Sequence, residues 1–176
     1  MKEYYINASE LKSYCEKLNM GDRVYLSGTV YTARDAAHKR IFEYIEKNKT
    51  LPFEINGAVI YYAGPTPTPE NLAIGSCGPT TSCRMDCYTP LLLDKGLCAT
   101  IGKGERDKEV INAIIRNKSV YLCATGGAGA LAALSIISCE VIAFEDLGCE
   151  SVKKLEFKDF PLIVGIDSKG NNIFIR

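Results

Sequence analysis

The sequence predicts a single mixed α/β domain spanning residues 1–176, with flanking helices and more than one layer. The length of 176 residues is that of one domain, large enough to bury a sizeable core. The first third is rich in β-branched and aromatic residues, as strands are. From residue 79 onward, predicted strands and helices alternate regularly, and the tail is again β-rich.

In the first third, the patterns predict three strands and two helices. Strands are expected over 4–6, 23–32 and 58–62, and a short capped helix over 9–12. A longer helix is predicted over 33–47, with Thr32 and Asp35 in the relation of a capping box. Its inner stripe consists of Arg34, Ala37/His38, Ile41 and Tyr44/Ile45.

The remainder of the chain contains the predicted alternation. Helices are expected over 81–93, 106–116 and 128–137, and strands over 97–101, 120–124 and 140–144. Three further strands are predicted over 154–157, 162–166 and 173–175. A polar turn at 167–171 separates the last two of them.

Charge and hydropathy exclude several classes of partner. The 21 Lys and Arg residues balance 21 Asp and Glu residues, so there is no general attraction to nucleic acid or to an anionic membrane. No apolar run approaches the roughly 18 to 20 residues of a membrane-spanning helix, and the start does not resemble a signal peptide. We therefore expect a cytoplasmic protein whose anion sites are built locally.

The eight cysteines are expected to be thiols. Cys77, Cys83 and Cys87 could suggest a metal centre. Their C-x5-C-x3-C spacing matches neither the paired cysteines of zinc sites nor the C-x2-C-x2-C core of ferredoxin-type clusters. The sequence therefore predicts no metal ligand in this chain.

Residues 76–86 (SCGPTTSCRMD) contain the first candidate site. A Gly-Pro turn precedes Thr80 and Thr81, and Arg84 follows in the first turn of the predicted helix. Exposed N–H groups at a helix start beside a guanidinium suit a carboxylate. Arg84 would share an inward face with Tyr88 and Leu91. The alternative is that the threonines only cap the helix and that Arg84 is solvated.

A second arginine-bearing helix start lies upstream, at residues 32–40 (TARDAAHKR). Arg34 and His38, the only histidine, extend the apolar stripe and should lie at the edge of the core. A structural role for both is the alternative. Lys103 follows a predicted strand, where ligands bind in parallel α/β sheets, although it could be an ordinary loop lysine. Two such helix starts suggest a site for a small dianion.

The glycines at 126, 127 and 129 could be mistaken for a dinucleotide fingerprint. They lack the G-x-G-x-x-G spacing, so close packing of helix on strand is the better interpretation.

These segments resemble a known family. Residues 32–40, 62–65, 78–86, 102–104 and 145–161 are similar to the β subunit of class I (iron–sulfur) fumarate hydratase, in the same order along the chain. The nine residues from Gly78 to Asp86 are the most specific part. The β subunit of L(+)-tartrate dehydratase is the nearest group within this family, but the Arg-Asp-Ala-Ala-His-Lys-Arg segment looks more like the fumarases.

The resemblance implies a two-component hydro-lyase that interconverts fumarate and (S)-malate. This chain would be a swivelling β/β/α domain. A separate α subunit would hold a [4Fe–4S] cluster, and this chain would supply no cluster ligand. By analogy, the assembly would be α2β2. Tartrate dehydration is the alternative reaction. A non-catalytic dicarboxylate-binding module is the alternative of a different class.

The resemblance also implies roles for individual residues. Arg34, Arg84 and Lys103 match substrate-binding positions, and Thr81 is grouped with them. Thr80 matches the proposed base that exchanges the carbon-bound proton. His38 matches a candidate proton acceptor and has the better intrinsic pKa. The sequence does not choose between Thr80 and His38.

Overall fold

The structure, a computed structural model, describes residues 1–175 and confirms a mixed α/β fold with one sheet and flanking helices. Within residues 1–175 there are seven strands and five α-helices. The strands are β1 (Glu3–Asn7), β2 (Arg23–Thr32), β3 (Val59–Tyr61), β4 (Ala99–Gly102), β5 (Val120–Cys123), β6 (Ile136–Ala143) and β7 (Val152–Ile166). The helices are α1 (Leu11–Tyr14), α2 (Asp35–Glu46), α3 (Thr89–Asp94), α4 (Lys108–Asn117) and α5 (Gly129–Leu134). None of them is long and apolar enough to cross a bilayer.

The sheet is parallel from β1 to β5 and closes on itself through β7. Strands β1 to β5 lie side by side in chain order, each parallel to the next. The long strand β7 pairs antiparallel with β5, β2 and β6. Ile163 is opposite Arg23 of β2 and also opposite Cys123 of β5, so β7 joins the two sides of the sheet.

Two hydrophobic clusters lie on opposite faces of the sheet, because successive side chains of a strand alternate between the faces. Tyr61 belongs to the first cluster, where it packs edge-on against Phe157 and Phe160 between strands. Its neighbours Ile60 and Tyr62 belong to the second cluster, which lies under α2, α3 and α4. The chain therefore has one core between strands and one between sheet and helices.

The predicted helix over 81–93 is wrong. The chain forms a short 3-10 helix, Ser82–Met85, and then α3, which begins at Thr89. Pro90 occupies the first turn of α3. A proline there cannot donate to the preceding turn, and its ring would clash with the carbonyl of Asp86 in a continuous helix.

The predicted capping box of Thr32 and Asp35 is also wrong. Thr32 lies in β2, and its hydroxyl donates to the Ser151 carbonyl and accepts from the Lys153 N–H. The Ala36 N–H at the start of α2 instead donates to Glu150 Oε2 at 2.9 Å. A carboxylate distant in sequence therefore caps the helix.

The tail differs from its prediction in two places. The strands expected over 154–157 and 162–166 form the single strand β7, which shifts register against β2 between Leu26 and Gly28. Residues 173–175 form no strand. The predicted turn at 167–171 is confirmed, since the Asp167 carboxylate accepts from the N–H groups of Lys169 and Asn171.

A buried ion pair joins the segment after the 3-10 helix to the start of α4. Arg106, whose side chain is fully buried, donates from Nε to Asp86 Oδ1 at 2.6 Å. It also donates to the hydroxyls of Thr100, on β4, and Thr89, on α3. Asp86 Oδ2 accepts from the Asp107 N–H at 2.7 Å. One guanidinium and one carboxylate thus tie together β4, α3, α4 and residues 82–86.

Removing Asp86 should therefore be costly. We expect Asp86→Ala to lower the free energy of unfolding by about 3–5 kcal/mol, because Arg106 would stay buried without its counter-ion. Urea unfolding followed by circular dichroism measures the change. Asp94→Ala is the matched control: it breaks the half-exposed Asp94–Arg116 pair and should cost far less. Equal losses in the two variants would contradict this account.

Candidate active site

Three predicted site segments lie together at one edge of the sheet. Arg34 follows β2 and Lys103 follows β4, and the carboxyl ends of parallel strands meet at the same edge. The threonine pair reaches this edge through backbone contacts. The Thr80 N–H donates to the Tyr62 carbonyl at 2.8 Å, Thr81 forms a parallel bridge with Lys103, and the Ser82 N–H donates to the Lys103 carbonyl at 2.9 Å. Residues 80–82 therefore lie across the ends of β3 and β4.

The two predicted arginines meet at Asp35. Arg84 Nε lies 2.8 Å from Asp35 Oδ1, and Arg34 Nη2 lies 3.8 Å from Asp35 Oδ2. Arg34 Nη2 is also 3.4 Å from Glu150 Oε1. A Cβ at Gly64 would lie 2.9 Å from Arg34 Nη1, so the absence of a side chain at that position gives the guanidinium its space.

Arg84 does not face inward as the sequence predicted. Its side chain is 52% exposed, and Leu91 is also exposed. The inward face assumed one continuous helix, whereas the 3-10 turn and Pro90 change the direction of the chain between the two residues. Arg84 is therefore a surface-accessible cation held against Asp35.

His38 is buried, as expected for the edge of the core. Its Nδ1 lies 2.9 Å from the Arg34 carbonyl, and the rings of Tyr62 and Tyr88 flank it at 5.5 and 5.6 Å. A ring nitrogen near a carbonyl must carry the proton, which leaves Nε2 as an acceptor. Burial, with a further contribution from the Arg106 charge, lowers the pKa of His38 to about 4. His38 is therefore neutral at physiological pH.

Lys103 lies over the glycine-rich loop at residues 126–129. A Cβ at Gly126 would come within 3.3 Å of Lys103 Cδ and 3.7 Å of Nζ. One at Gly129 would come within 2.9 Å of the Gly78 nitrogen. The prediction that these glycines pack a helix closely on a strand is wrong. Gly126 lies against the Lys103 side chain, Gly129 lies against Ser76 and Gly78, and a Cβ at Gly127 would have no neighbour within 4 Å.

Buried polar atoms without hydrogen-bond partners concentrate here. In the part of the chain that the structure describes, four such side-chain atoms occur, and three belong to the site: Arg34 Nε, Asp35 Oδ2 and His38 Nε2. Buried polar groups are rarely left unsatisfied, because each costs free energy. One donor and two acceptors at the same sheet edge indicate a place for a polar ligand.

The cysteines that suggested a metal centre do not come together as ligands. Cys77 is buried, and burial raises the pKa of its thiol to about 12, whereas Cys83 and Cys87 are exposed. Residues 1–175 contain no group of three or more His, Cys, Asp or Glu side chains arranged to hold a metal ion.

Sequence reasoning missed three residues of the site and its support. The sequence patterns assign Asp35 to a cap, do not single out Glu150, and place Arg106 only at the start of a helix. No local signal distinguishes Arg106, which lies between Glu105 and Asp107 in a charged segment. Nothing local connected Glu150 with Arg34, because 116 positions separate them in the sequence.

The fold and the site define a mixed α/β domain that carries a cationic site at the ends of parallel strands. The chain belongs to the Fumarase C-terminus family, whose model matches residues 1–176.

The chain covers very different shares of its individual relatives. The chain is 43% identical over 159 residues to "Fumarate hydratase 2" of Leishmania major, covering 89% of this chain and 28% of that protein. It is 39% identical to "Fumarate hydratase class I, anaerobic" of Escherichia coli K12, covering 94% and 30%. It is 42% identical to "Putative L(+)-tartrate dehydratase subunit beta" of Methanocaldococcus jannaschii, covering 98% and 91%. The chain thus spans about three-tenths of the fumarate hydratases and nearly all of the β subunit.

His38 should make stability pH-dependent in a defined window. Its pKa is about 4 in the folded protein and about 6.5 in the unfolded chain. The unfolded state therefore binds the proton first, so stability is full above pH 6.5 and is lost as the pH falls toward 4. Between pH 7 and pH 5 the loss assigned to His38 is about 2 kcal/mol.

Urea unfolding of the wild type and His38→Gln at both pH values isolates that contribution, because the carboxylates are common to both. Since His38 is the only histidine, its NMR titration is also unambiguous. A midpoint near 6.5 in the folded protein would contradict the prediction.

Proposed function

We propose that this chain is the β subunit of a two-subunit hydro-lyase that reversibly hydrates fumarate to (S)-malate. A separate α subunit holds the [4Fe–4S] cluster, and the β chain is inactive without it. One observation supports a partner: the Methanocaldococcus jannaschii relative, of which the chain covers 91%, is named a subunit. By the family resemblance, the assembly contains two copies of each chain. The eight free thiols fit a reducing cytoplasm.

The observation that carries the proposal is the set of unsatisfied polar atoms beside two arginines. Arg34 Nε, Asp35 Oδ2 and His38 Nε2 lack hydrogen-bond partners within the described residues. Arg84 is half-exposed on the other side of Asp35. A dicarboxylate offers two anionic ends, which suit two guanidinium groups.

The three cations of the site suit the charge that develops during the reaction. Loss or gain of water next to a carboxylate proceeds through an aci-carboxylate with additional negative charge. Arg34, Arg84 and Lys103 stabilise that charge and hold the two ends of the substrate. When bound in the partner, the cluster supplies a Lewis acid for the substrate hydroxyl.

Of the two candidate bases, we assign exchange of the carbon-bound proton to Thr80. Thr80 is half-buried at the strand ends, whereas His38 is fully enclosed and has a pKa of about 4. A threonine hydroxyl is a weak acid, but neighbouring cations in a closed, dry site favour its alkoxide. His38 instead holds the Arg34 backbone through Nδ1.

Tartrate dehydratase β subunit is the second candidate. The observation that favours it is the Methanocaldococcus jannaschii relative, which is 42% identical and of which the chain covers 91%. Fumarate and tartrate differ in the hydroxyl groups presented to the same cations, so a direct comparison of substrates decides between the two reactions.

Reconstitution tests the function. We expect the chain, mixed with the cognate α subunit under anaerobic conditions, to give malate dehydration measured as fumarate absorbance, and each subunit alone to give none. Tartrate, offered in parallel, should react more slowly. Faster turnover of tartrate would establish the second candidate. No activity on either substrate, with a cluster-loaded α subunit, would indicate a non-catalytic dicarboxylate-binding module.

Removal of the Thr80 hydroxyl should suppress proton exchange. We expect Thr80→Val to slow exchange of the malate C3 hydrogen with solvent deuterium by about 10²–10⁴-fold, the usual contribution of a positioned acid–base group. NMR of the reconstituted complex measures the exchange. Thr50→Val, at an exposed position, is the matched control and should exchange normally. If His38→Asn suppresses exchange while Thr80→Val does not, the base is His38.

A further inference from the structure

We propose that Asp35 and Glu150 are positioning residues that hold the guanidinium groups of the two substrate arginines in the positions that a dicarboxylate requires. This inference rests on the proposed function, because it assigns the two arginines to a carboxylate-bearing ligand. Neither acidic residue was among the predicted site residues. Both are tied to the start of α2, Asp35 as its first residue and Glu150 through the Ala36 N–H.

Asp35 holds Arg84 at one point. The contact joins Arg84 Nε to Asp35 Oδ1 at 2.8 Å, while Asp35 Oδ2 accepts no hydrogen bond within the described chain. Asp35 therefore does not grip the guanidinium side-on with both oxygens. A one-point contact at Nε leaves the two terminal nitrogens, which bind a carboxylate end-on, for a ligand.

Glu150 holds Arg34 while fixed at its other oxygen. Oε1 lies 3.4 Å from Arg34 Nη2, and Oε2 accepts the Ala36 N–H at 2.9 Å. The Glu150 carboxylate thus joins the Arg34 side chain to the helix that begins one residue later. Arg34 Nε has no partner, so this guanidinium also retains a buried donor.

The Lys153 ammonium fixes the segment that carries Glu150. Its Nζ donates to the Ser151 hydroxyl at 2.6 Å and to the carbonyls of Gly148, Cys149 and Ser151 at 3.1–3.3 Å. Lys153 is buried, and the hydrogen-bond partners of its ammonium are all within five residues along the chain. Glu150 therefore lies between a fixed loop and a helix start, which limits where Arg34 can move.

A positioning role and a simple counter-ion role predict opposite signs. If Asp35 only neutralises the arginines, its removal leaves more positive charge and the KM for a dianion falls. If it positions Arg84, its removal lets a long side chain take many rotamers and the KM rises. The direction of the change in KM therefore separates the two roles. A loss of stability alone does not change the KM of the molecules that remain folded.

The test uses Asp35→Asn and Glu150→Gln in the reconstituted complex with (S)-malate. We expect each variant to raise KM about tenfold, with kcat changed less than about threefold, because ground-state and transition-state binding are both weakened. Asp146→Asn is the matched control. It removes a carboxylate from the same segment and breaks a two-point bond to Arg40 of α2, away from both substrate arginines. Its KM should equal that of the wild type.

The outcomes are separable. An active wild type with an unchanged or lower KM in both variants overturns the inference and leaves the proposed function standing. Wild type without activity on malate and tartrate overturns the proposed function instead. If Asp35→Asn is unfolded by circular dichroism, the Glu150→Gln result decides. A raised KM in Asp146→Asn equal to that in the other two also overturns the inference.

Discussion

The buried ion pair between Asp86 and Arg106 is the constraint on which the site depends. The 78–86 loop is held at one end by the backbone bonds of Thr80 and Ser82 to the ends of β3 and β4. At its other end, Asp86 accepts from Arg106 and from the Asp107 N–H at the start of α4. Because both ends are fixed, the short 3-10 helix between them holds the backbone of Arg84 beside Asp35.

The Arg106 guanidinium also packs on an aromatic ring that contacts His38. Arg106 lies over the rings of Tyr62 and Tyr121 at 5.3 and 4.9 Å, and Tyr62 meets His38 edge-on. Burial alone would lower the pKa of Arg106, but Tyr62 and Asp86 raise it, so the charge persists. That charge helps to keep His38 neutral. Replacing a buried ion pair by apolar residues is often neutral for stability, so the value of this pair lies in how it holds β4, α3, α4 and the loop together.

Much of the architecture could be predicted from the sequence because it follows local patterns. The strand over 23–32 has the predicted bounds, and the stripe of Ala37, His38 and Ile41 is buried as expected. The position of Lys103 followed from a general property of parallel sheets. The failures were of two kinds. The first is the predicted helix over 81–93, which ignores Pro90 and therefore gives Arg84 the wrong orientation. The second concerns the carboxylate partners of the arginines, which depend on contacts between residues distant in sequence that no periodicity reveals.

The formal charges of the site fall short of those that would balance a dianion. Arg34, Arg84 and Lys103 carry three positive charges, and the ion pairs with Asp35 and Glu150 bring two negative charges among them. His38 is neutral, because its pKa is about 4. Within the described residues the site therefore has one net positive charge, and a bound dicarboxylate would leave it net negative. Closing such a site away from water strengthens that imbalance.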